Sequence, residues 1–326
     1  MTIEIGDTTV AAGQQQQIEI PVARLPTQTM ISLPVIVING SQPGPKLWLS
    51  AAIHGDEING VEIIHQVLKK ISPQQLCGTI IAVPIVNVFG FIEQSRYLPD
   101  RRDLNRSFPG SMRGSLASRL AHLFMTEIVS RSTHGIDLHT ASAHRTNLPQ
   151  IRANLDDPQT CNCAKAFGAP VMIHSQVRDG SLRQAATQKG IPVLLYEAGE
   201  ALRFDRQAIQ IGVNGILQVM TNLGMYENPV LSESTIAQTP TEIRKTHWVR
   251  ASKSGILMLT VALGSKVEKK QIIGVISDAF GNESVKVRSS YDGLVIGNQE
   301  NPLVSQGDAI VHIAVFNPNA VNEDLQ

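Results

Sequence analysis

Cysteine is scarce in this chain. Only Cys77, Cys161 and Cys163 occur among 326 residues, an odd number with a single C-x-C pair, which excludes a disulfide framework and a four-cysteine zinc site. They read as reduced bystanders. No sign of charge dominates: 28 basic residues balance 28 acidic ones and no long single-sign run occurs, so nothing predicts a nucleic-acid or anionic-lipid partner. The first residues, MTIEIGDTTVAAGQQQQ, lack a basic stretch followed by an apolar one, and no segment reaches about 18 consecutive apolar residues. Neither a secretion signal nor a membrane span is expected, and the default is a cytoplasmic protein. What is present is a chain 42% hydrophobic and 17% charged, long enough to bury a sizeable core and to form two domains.

Residues 1–45 alternate short β-prone stretches (17–22 and 30–38) with Pro and Gly, as edge strands do ahead of a larger sheet. From Leu47 strands and helices take turns. LWLSAAI is uncharged and almost wholly apolar or small, as a strand buried on both faces would be. A helix is expected at 57–71, stopped by Ser72-Pro73, then a strand at 79–86. The stretch 87–114 is long, polar and without periodicity, which in a compact domain points to a segment serving a site. A helix at 115–130 and a strand at 135–139 follow, and 141–154, with His144, Arg145 and Arg152, reads as irregular. Helices near 158–167, 181–189 and 205–223 then alternate with strands at 170–174 and 191–197. The sum is an α/β fold, a mixed and mostly parallel sheet covered by helices, over 1–226.

Residues 227–242, polar with two prolines, are the expected linker, and 243–318 turns all-β, as a small barrel-sandwich before a tail at 319–326. Two halves of this region echo each other: SGILMLTVALGSKVEKKQIIGVI and DGLVIGNQENPLVSQGDAIVHIA. A folded-over pair of hairpin units is expected.

Three apolar strands end in polar clusters: LWLSAAIHGDE, GIDLHT and IPVLLYEAGE. Ligand sites of open α/β sheets lie at the carboxyl ends of strands, so His54, Glu57, His139 and Glu197 are expected to converge. Singly, each is as well explained as a hydrogen-bonded surface histidine or a helix-start carboxylate; together they describe chemistry. Two imidazoles and one carboxylate suit Zn2+ and leave a fourth position open. Glu197 near but not on the metal would serve as general base. Asp137, on the strand face of His139, is placed to support the site. His134 and Asp137 form a rival H-x-x-D pair, but His134 precedes its strand. Arg96, Arg101, Arg102, Asn105 and Arg106 crowd one loop, and beside a hydrolytic metal such guanidinium groups hold a carboxylate or stabilise an oxyanion.

His54-Gly55-Asp56-Glu57, Asp103-Leu104-Asn105-Arg106, Asp137-Leu138-His139 and Glu197-Ala198-Gly199, in that order, resemble the motifs of the succinylglutamate desuccinylase and aspartoacylase family over about 47–223. The resemblance implies the zinc carboxypeptidase fold and one zinc per chain on His54, Glu57 and His139. It further implies Glu197 as general base and Asn105 and Arg106 on the substrate carboxylate. By position, Arg96 is similar to the arginine that polarises the scissile carbonyl. The spacing from Arg96 to Arg106 is longer than in aspartoacylase, so Arg101 and Arg102 stay open for that role. Arg178 and Arg183 are candidates for an acyl-side carboxylate, though neither sits at the family's distance before Glu197. The carboxyl-terminal region resembles the family's small barrel and, through it, lipoyl and biotinyl carriers. Its turn at 277–282 has no lysine, so a lid or a homo-oligomer contact is expected rather than a swinging arm.

The expectation is therefore a zinc-dependent deacylase acting on a small anionic N-acyl amino acid. A metallocarboxypeptidase acting on short or cell-wall peptides is the alternative within enzymes. A zinc-stabilised binding protein is the alternative outside them; an intact Glu197 and an open metal position argue against it.

Overall fold

The Gln42–Ala51 strand hydrogen-bonds in parallel to Cys77–Val83 on one side and to His134–Ala141 on the other. Its residues Leu47 to Ala51 are fully buried, with Leu47, Leu49 and Ala51 in one core and Trp48 in the opposite one. Two-sided burial is why its apolar run does not alternate. Each of the two leucines contributes about 1.5–3 kcal/mol through burial. The computed structural model that shows this describes residues 2–227 and 240–316. The expected linker therefore lies largely outside the described residues, as does the expected tail.

Among the described residues one 13-stranded mixed sheet carries the fold. His134–Ala141 continues in parallel to Val193–Glu200, which pairs antiparallel with Arg145–Ala153. The helices Asn59–Leu68, Pro158–Phe167 and Arg206–Asn222 cover one face, with Leu116–Glu127 and Leu182–Thr187 on the other. The covered, mostly parallel centre is as expected from the alternation of patterns. No helix of the described residues is long and apolar enough to cross a membrane.

One expectation is corrected. Residues 141–154 are not irregular: Arg145–Ala153 is an inner strand of the sheet. Its polar residues Asn147 and Gln150 are buried and hide the alternation, and Pro149 sits where the register against Val193–Glu200 shifts, between the pairs Glu197↔Gln150 and Gly199↔Asn147. A register irregularity is where a strand tolerates a residue without an N–H.

The carboxyl-terminal strands join the same sheet. Gly293–Gln299 pairs with Arg145–Ala153, then Ala309–Val315 and Thr246–Arg250 follow in order. The sequence echo takes the form of an exchange: Gly255–Leu259 and Ile272–Ser277 pair in the first half, Gly293–Gln299 and Ala309–Val315 in the second. Each half lends a short strand to the other, Lys266–Val267 to Gly293–Gln299 and Leu303–Val304 to Gly255–Leu259. The first half and the Leu303–Val304 strand, with Ser284–Arg288, make a separate four-stranded sheet packed over a core of Val249, Ile273, Ile310 and Ile313. Thr241–Ile243, partly inside the stretch expected as linker, pairs with Val171–His174.

Candidate active site

The Gln42–Ala51 strand ends in a turn pinned by Val86 N donating to Ala51 O and Asn87 N to Ala52 O, with Ala52 at φ 49°. Gly55 follows because a β-carbon there would fall 2.0 Å from Gly90 C. His54 and Glu57 are thereby fixed just ahead of the Asn59–Leu68 helix, with Glu57 N donating to His54 O. His139 reaches them from the adjacent parallel strand.

All three side chains are buried, and one potential ligand atom from each lies within 4.8 Å of the others. Glu57 stands between the imidazoles, Oε1 at 2.7 Å from His54 Nδ1 and Oε2 at 2.7 Å from His139 Nδ1. Each ring turns its other nitrogen to an aspartate: His54 Nε2 lies 3.2 Å from Asp103 Oδ1, and His139 Nε2 lies 2.8 Å from Asp137 Oδ2. Ser50 Oγ donates to Asp137 Oδ1 in turn. A carboxylate behind Nε2 fixes the tautomer and leaves the Nδ1 lone pair for a cation, as the outer shell of metal-bound histidine does. The donor set fits a divalent metal ion.

The electrostatics agree. Burial alone would raise the Glu57 carboxyl, but the two imidazoles outweigh it and hold it well below the usual carboxylate range. Burial opposes charge on His139, yet Asp137 and Glu57 raise its pKa well above that of free histidine. For His54 the same contest is won by Glu57 and Asp103. Concentrated negative charge around two imidazoles is what a cation would neutralise.

Glu197 is the register partner of His139 on Val193–Glu200, and its strand turns away at Gly199, φ +74°. Its Oε2 accepts from Asn147 Nδ2 at 3.0 Å and pairs with Arg152 Nε at 3.0 Å. Arg96 sits against the metal-capable trio, Nη2 donating to Asp103 Oδ2 at 2.9 Å and Nη1 at 3.5 Å from Glu57 Oε1. Asn105 is buried, its Oδ1 accepting from Leu182 N at 2.9 Å. With Arg106 it lines a cavity of about 500 Å³ that also contains His54, Glu57, Arg96, His139, Arg183 and Glu197.

Arg101 and Arg102 depart from expectation. Both are exposed and neither lines the cavity, because the turn in which Leu98 N donates to Arg102 O and Arg101 N to Leu98 O, with Arg101 at φ 59°, leaves them on the outer surface. Arg183 does line it, but its guanidinium donates to Ser175 O, Ser175 Oγ and Gln176 O. Burial, and Arg152 nearby, push its pKa down to about 10. His134 stays apart from the trio, its ring nitrogens against Thr133 and Gln159.

Residues 43–223, more than half of the chain, match the succinylglutamate desuccinylase/aspartoacylase catalytic domain. The chain belongs to that family. An N-alpha-acetyl-L-2,4-diaminobutyric acid deacetylase of Halomonas elongata is 28% identical over 301 residues, 87% of this chain and 86% of the relative. Among solved structures, a succinylglutamate desuccinylase/aspartoacylase from Rhodobacter sphaeroides superposes with a TM-score of 0.83 at 26% identity, covering 94% of this chain and 98% of that one. The ectoine utilization protein EutE (DoeB) of Ruegeria pomeroyi, in its product-bound structure, has the same TM-score, 0.83, and coverage of 94% and 98%. At 22% identity it is a likeness of fold alone.

Of the residues that line this cavity, sequence reasoning did not single out Asn147 and left Arg145 and Arg152 within a segment read as irregular. It also missed Trp248, which lines the cavity from the carboxyl-terminal strands. The signal for the first three was a run of polar residues between two site strands; for Trp248 there was none, since only sheet pairing brings it close.

Proposed function

We propose that the chain is a zinc-dependent deacylase that hydrolyses the amide bond of a small anionic N-acyl amino acid. The observation that carries this reading is Glu197 standing in register beside His139 of a buried, metal-capable trio, in a cavity lined by Arg96, Arg106, Arg145, Arg152, Arg178 and Arg183. Among the described residues, the only carboxylates lining that cavity are Glu57 and Glu197. His54, Glu57 and His139 would hold the ion. Zinc there would supply Lewis acidity toward the scissile carbonyl and lower the pKa of a water to about 7.

Asn105 and Arg106 take the α-carboxylate, Arg106 by its paired N–H groups and Asn105 by its amide nitrogen, since its oxygen is engaged by Leu182 N. Arg96, held by Asp103, offers a cation to the carbonyl oxygen as negative charge develops there. Glu197 accepts the proton of the attacking water and delivers it to the leaving nitrogen. Asn147 and Arg152 both bind its Oε2, which leaves Oε1 to carry that proton.

The Halomonas elongata relative is, by its name, a deacetylase of an acetylated amino acid, which supports the reaction type. The second amine of diaminobutyric acid is a poor match for a cavity of arginines, and an anionic substrate is favoured here. Trp248 lines the cavity from the carboxyl-terminal strands, where it would meet a substrate longer than a single N-acyl amino acid. A comparison of N-acetyl and N-succinyl amino acids, their α-methyl esters and a tetrapeptide on zinc-loaded protein tests the proposal. Cleavage of the free acids far above the esters supports it, and faster cleavage of the tetrapeptide favours the carboxypeptidase instead.

A further inference from the structure

In the carboxyl-terminal region both larger sheets end in strands that border one groove. Among the described residues Thr246–Arg250 ends the order of the 13-stranded sheet and pairs only with Ala309–Val315. Ser284–Arg288 ends the order of the four-stranded sheet and pairs only with Ile272–Ser277. A groove of about 390 Å³ is lined by the unbroken runs 247–250 of the first strand and 286–288 of the second. Neighbouring residues of a strand point to opposite faces, so only an edge presents such a run to a single groove. Val249 and Val287 are buried in the core between the sheets, and Arg250, Lys286 and Arg288 are left exposed.

Both edges carry hydrogen-bonding backbone. Val315 N donates to Lys245 O, so the alternation of an antiparallel ladder turns the N–H and C=O of Thr246 and Trp248 to the open side. Asp278 N donates to Glu283 O, and the same alternation turns those of Ser284 and Lys286 outward.

The groove is also basic. Among the described residues no carboxylate lines it, and none pairs with Arg250, Lys286 or Arg288. Arg250 and Arg288 are steadied by backbone instead, their Nη1 atoms donating to Gly307 O and Lys270 O, each at 2.8 Å. Basic side chains on a strand edge ordinarily keep edges of the same kind apart. They disfavour a second copy of this edge here and favour a strand that brings carboxylates.

We propose that the groove docks an extended acidic segment of a partner protein, added as a strand to the Thr246–Arg250 edge with its carboxylates on Arg250, Lys286 and Arg288. Main-chain pairing calls for a polypeptide, which a nucleic acid or a polyphosphate cannot replace. Trp248 lines this groove and the active-site cavity alike, and it stacks on His312 with ring centres 4.3 Å apart and planes 4° from parallel. A docked strand therefore borders a side chain of the cavity wall.

The chain has two tryptophans and Trp48 is fully buried in the sheet, so a change in fluorescence on docking reports Trp248. Full-length protein is titrated with a synthetic heptapeptide of alternating Glu and Val, with its Gln-for-Glu counterpart, with a counterpart carrying Pro at the centre, and with inorganic polyphosphate. The acidic peptide is expected to bind saturably, and the Gln and Pro counterparts at least about tenfold more weakly. Lys286→Glu combined with Arg288→Glu should weaken the acidic peptide at least about tenfold, and Arg250→Glu serves as a separate charge reversal on the other edge. No saturable binding of the acidic peptide, equal binding of the Pro counterpart, or binding unchanged by both reversals overturns the proposal. Polyphosphate binding as tightly as the acidic peptide overturns it in favour of a general polyanion patch.

Discussion

Glu197 and His139 are register partners on adjacent parallel strands, so the carboxylate and the imidazole leave the same face of the sheet side by side. Their spacing is set by a backbone ladder rather than by a loop. The consequences for metal binding, for the carboxylate and for stability can each be measured.

Purified protein is expected to carry about one zinc per chain. His139→Ala should lose most of it, by removing a ligand. Asp137→Asn leaves the three donors in place but weakens the acceptor behind His139 Nε2, so metal affinity should fall about ten- to a hundredfold. Elemental analysis and chelator competition read both effects, and equal zinc in wild type and His139→Ala contradicts the ligand assignment.

Asn147 hydrogen-bonds and Arg152 ion-pairs with the same oxygen of Glu197, so losing either loosens the hold on the carboxylate. Asn147→Ala is expected to lower kcat by about tenfold while zinc content stays at the wild-type level. Arg152→Gln should do the same, with Arg152→Lys restoring part of the rate. Steady-state kinetics check this, and a change confined to KM would show that these residues hold substrate instead.

His312 is buried neutral, with a folded pKa of about 3 against an ordinary value of 6.5. The sign follows from the depressed folded value: an unfolded chain binds this proton below about pH 6.5 and the folded one does not, so stability is full above that pH and declines as pH falls toward about 3. His312→Phe keeps a ring beneath Trp248 and removes the titration. Thermal unfolding at pH 7 and pH 5 should show wild type losing more stability than the variant; parallel losses contradict the account.

The sheet centre and the convergence of four side chains on one cavity were legible because parallel strands buried on both faces leave uninterrupted apolar runs, and the polar break marks the carboxyl end of each strand. His54, Glu57, His139 and Glu197 all stand at such breaks. Arg145, Asn147 and Arg152 were not legible, because a strand lining a polar cavity carries polar side chains inward and Pro149 disguises it further. Arg101 and Arg102 illustrate the opposite error: loop composition gives the charge, while the direction of each side chain depends on the turn at Leu98–Arg102. Trp248 depends on pairing between distant strands, which local pattern does not encode.

The central claim is that Glu197 moves the proton in an amide hydrolysis supported by a metal on His54, Glu57 and His139. Its most direct test is Glu197→Gln, which preserves shape and hydrogen bonding but removes the base. Zinc content and turnover of the best-cleaved N-acyl amino acid should be measured on the same preparation. Zinc equal to wild type with kcat reduced at least about a hundredfold is the predicted result. A kcat within a fewfold of wild type, at equal zinc, would contradict it.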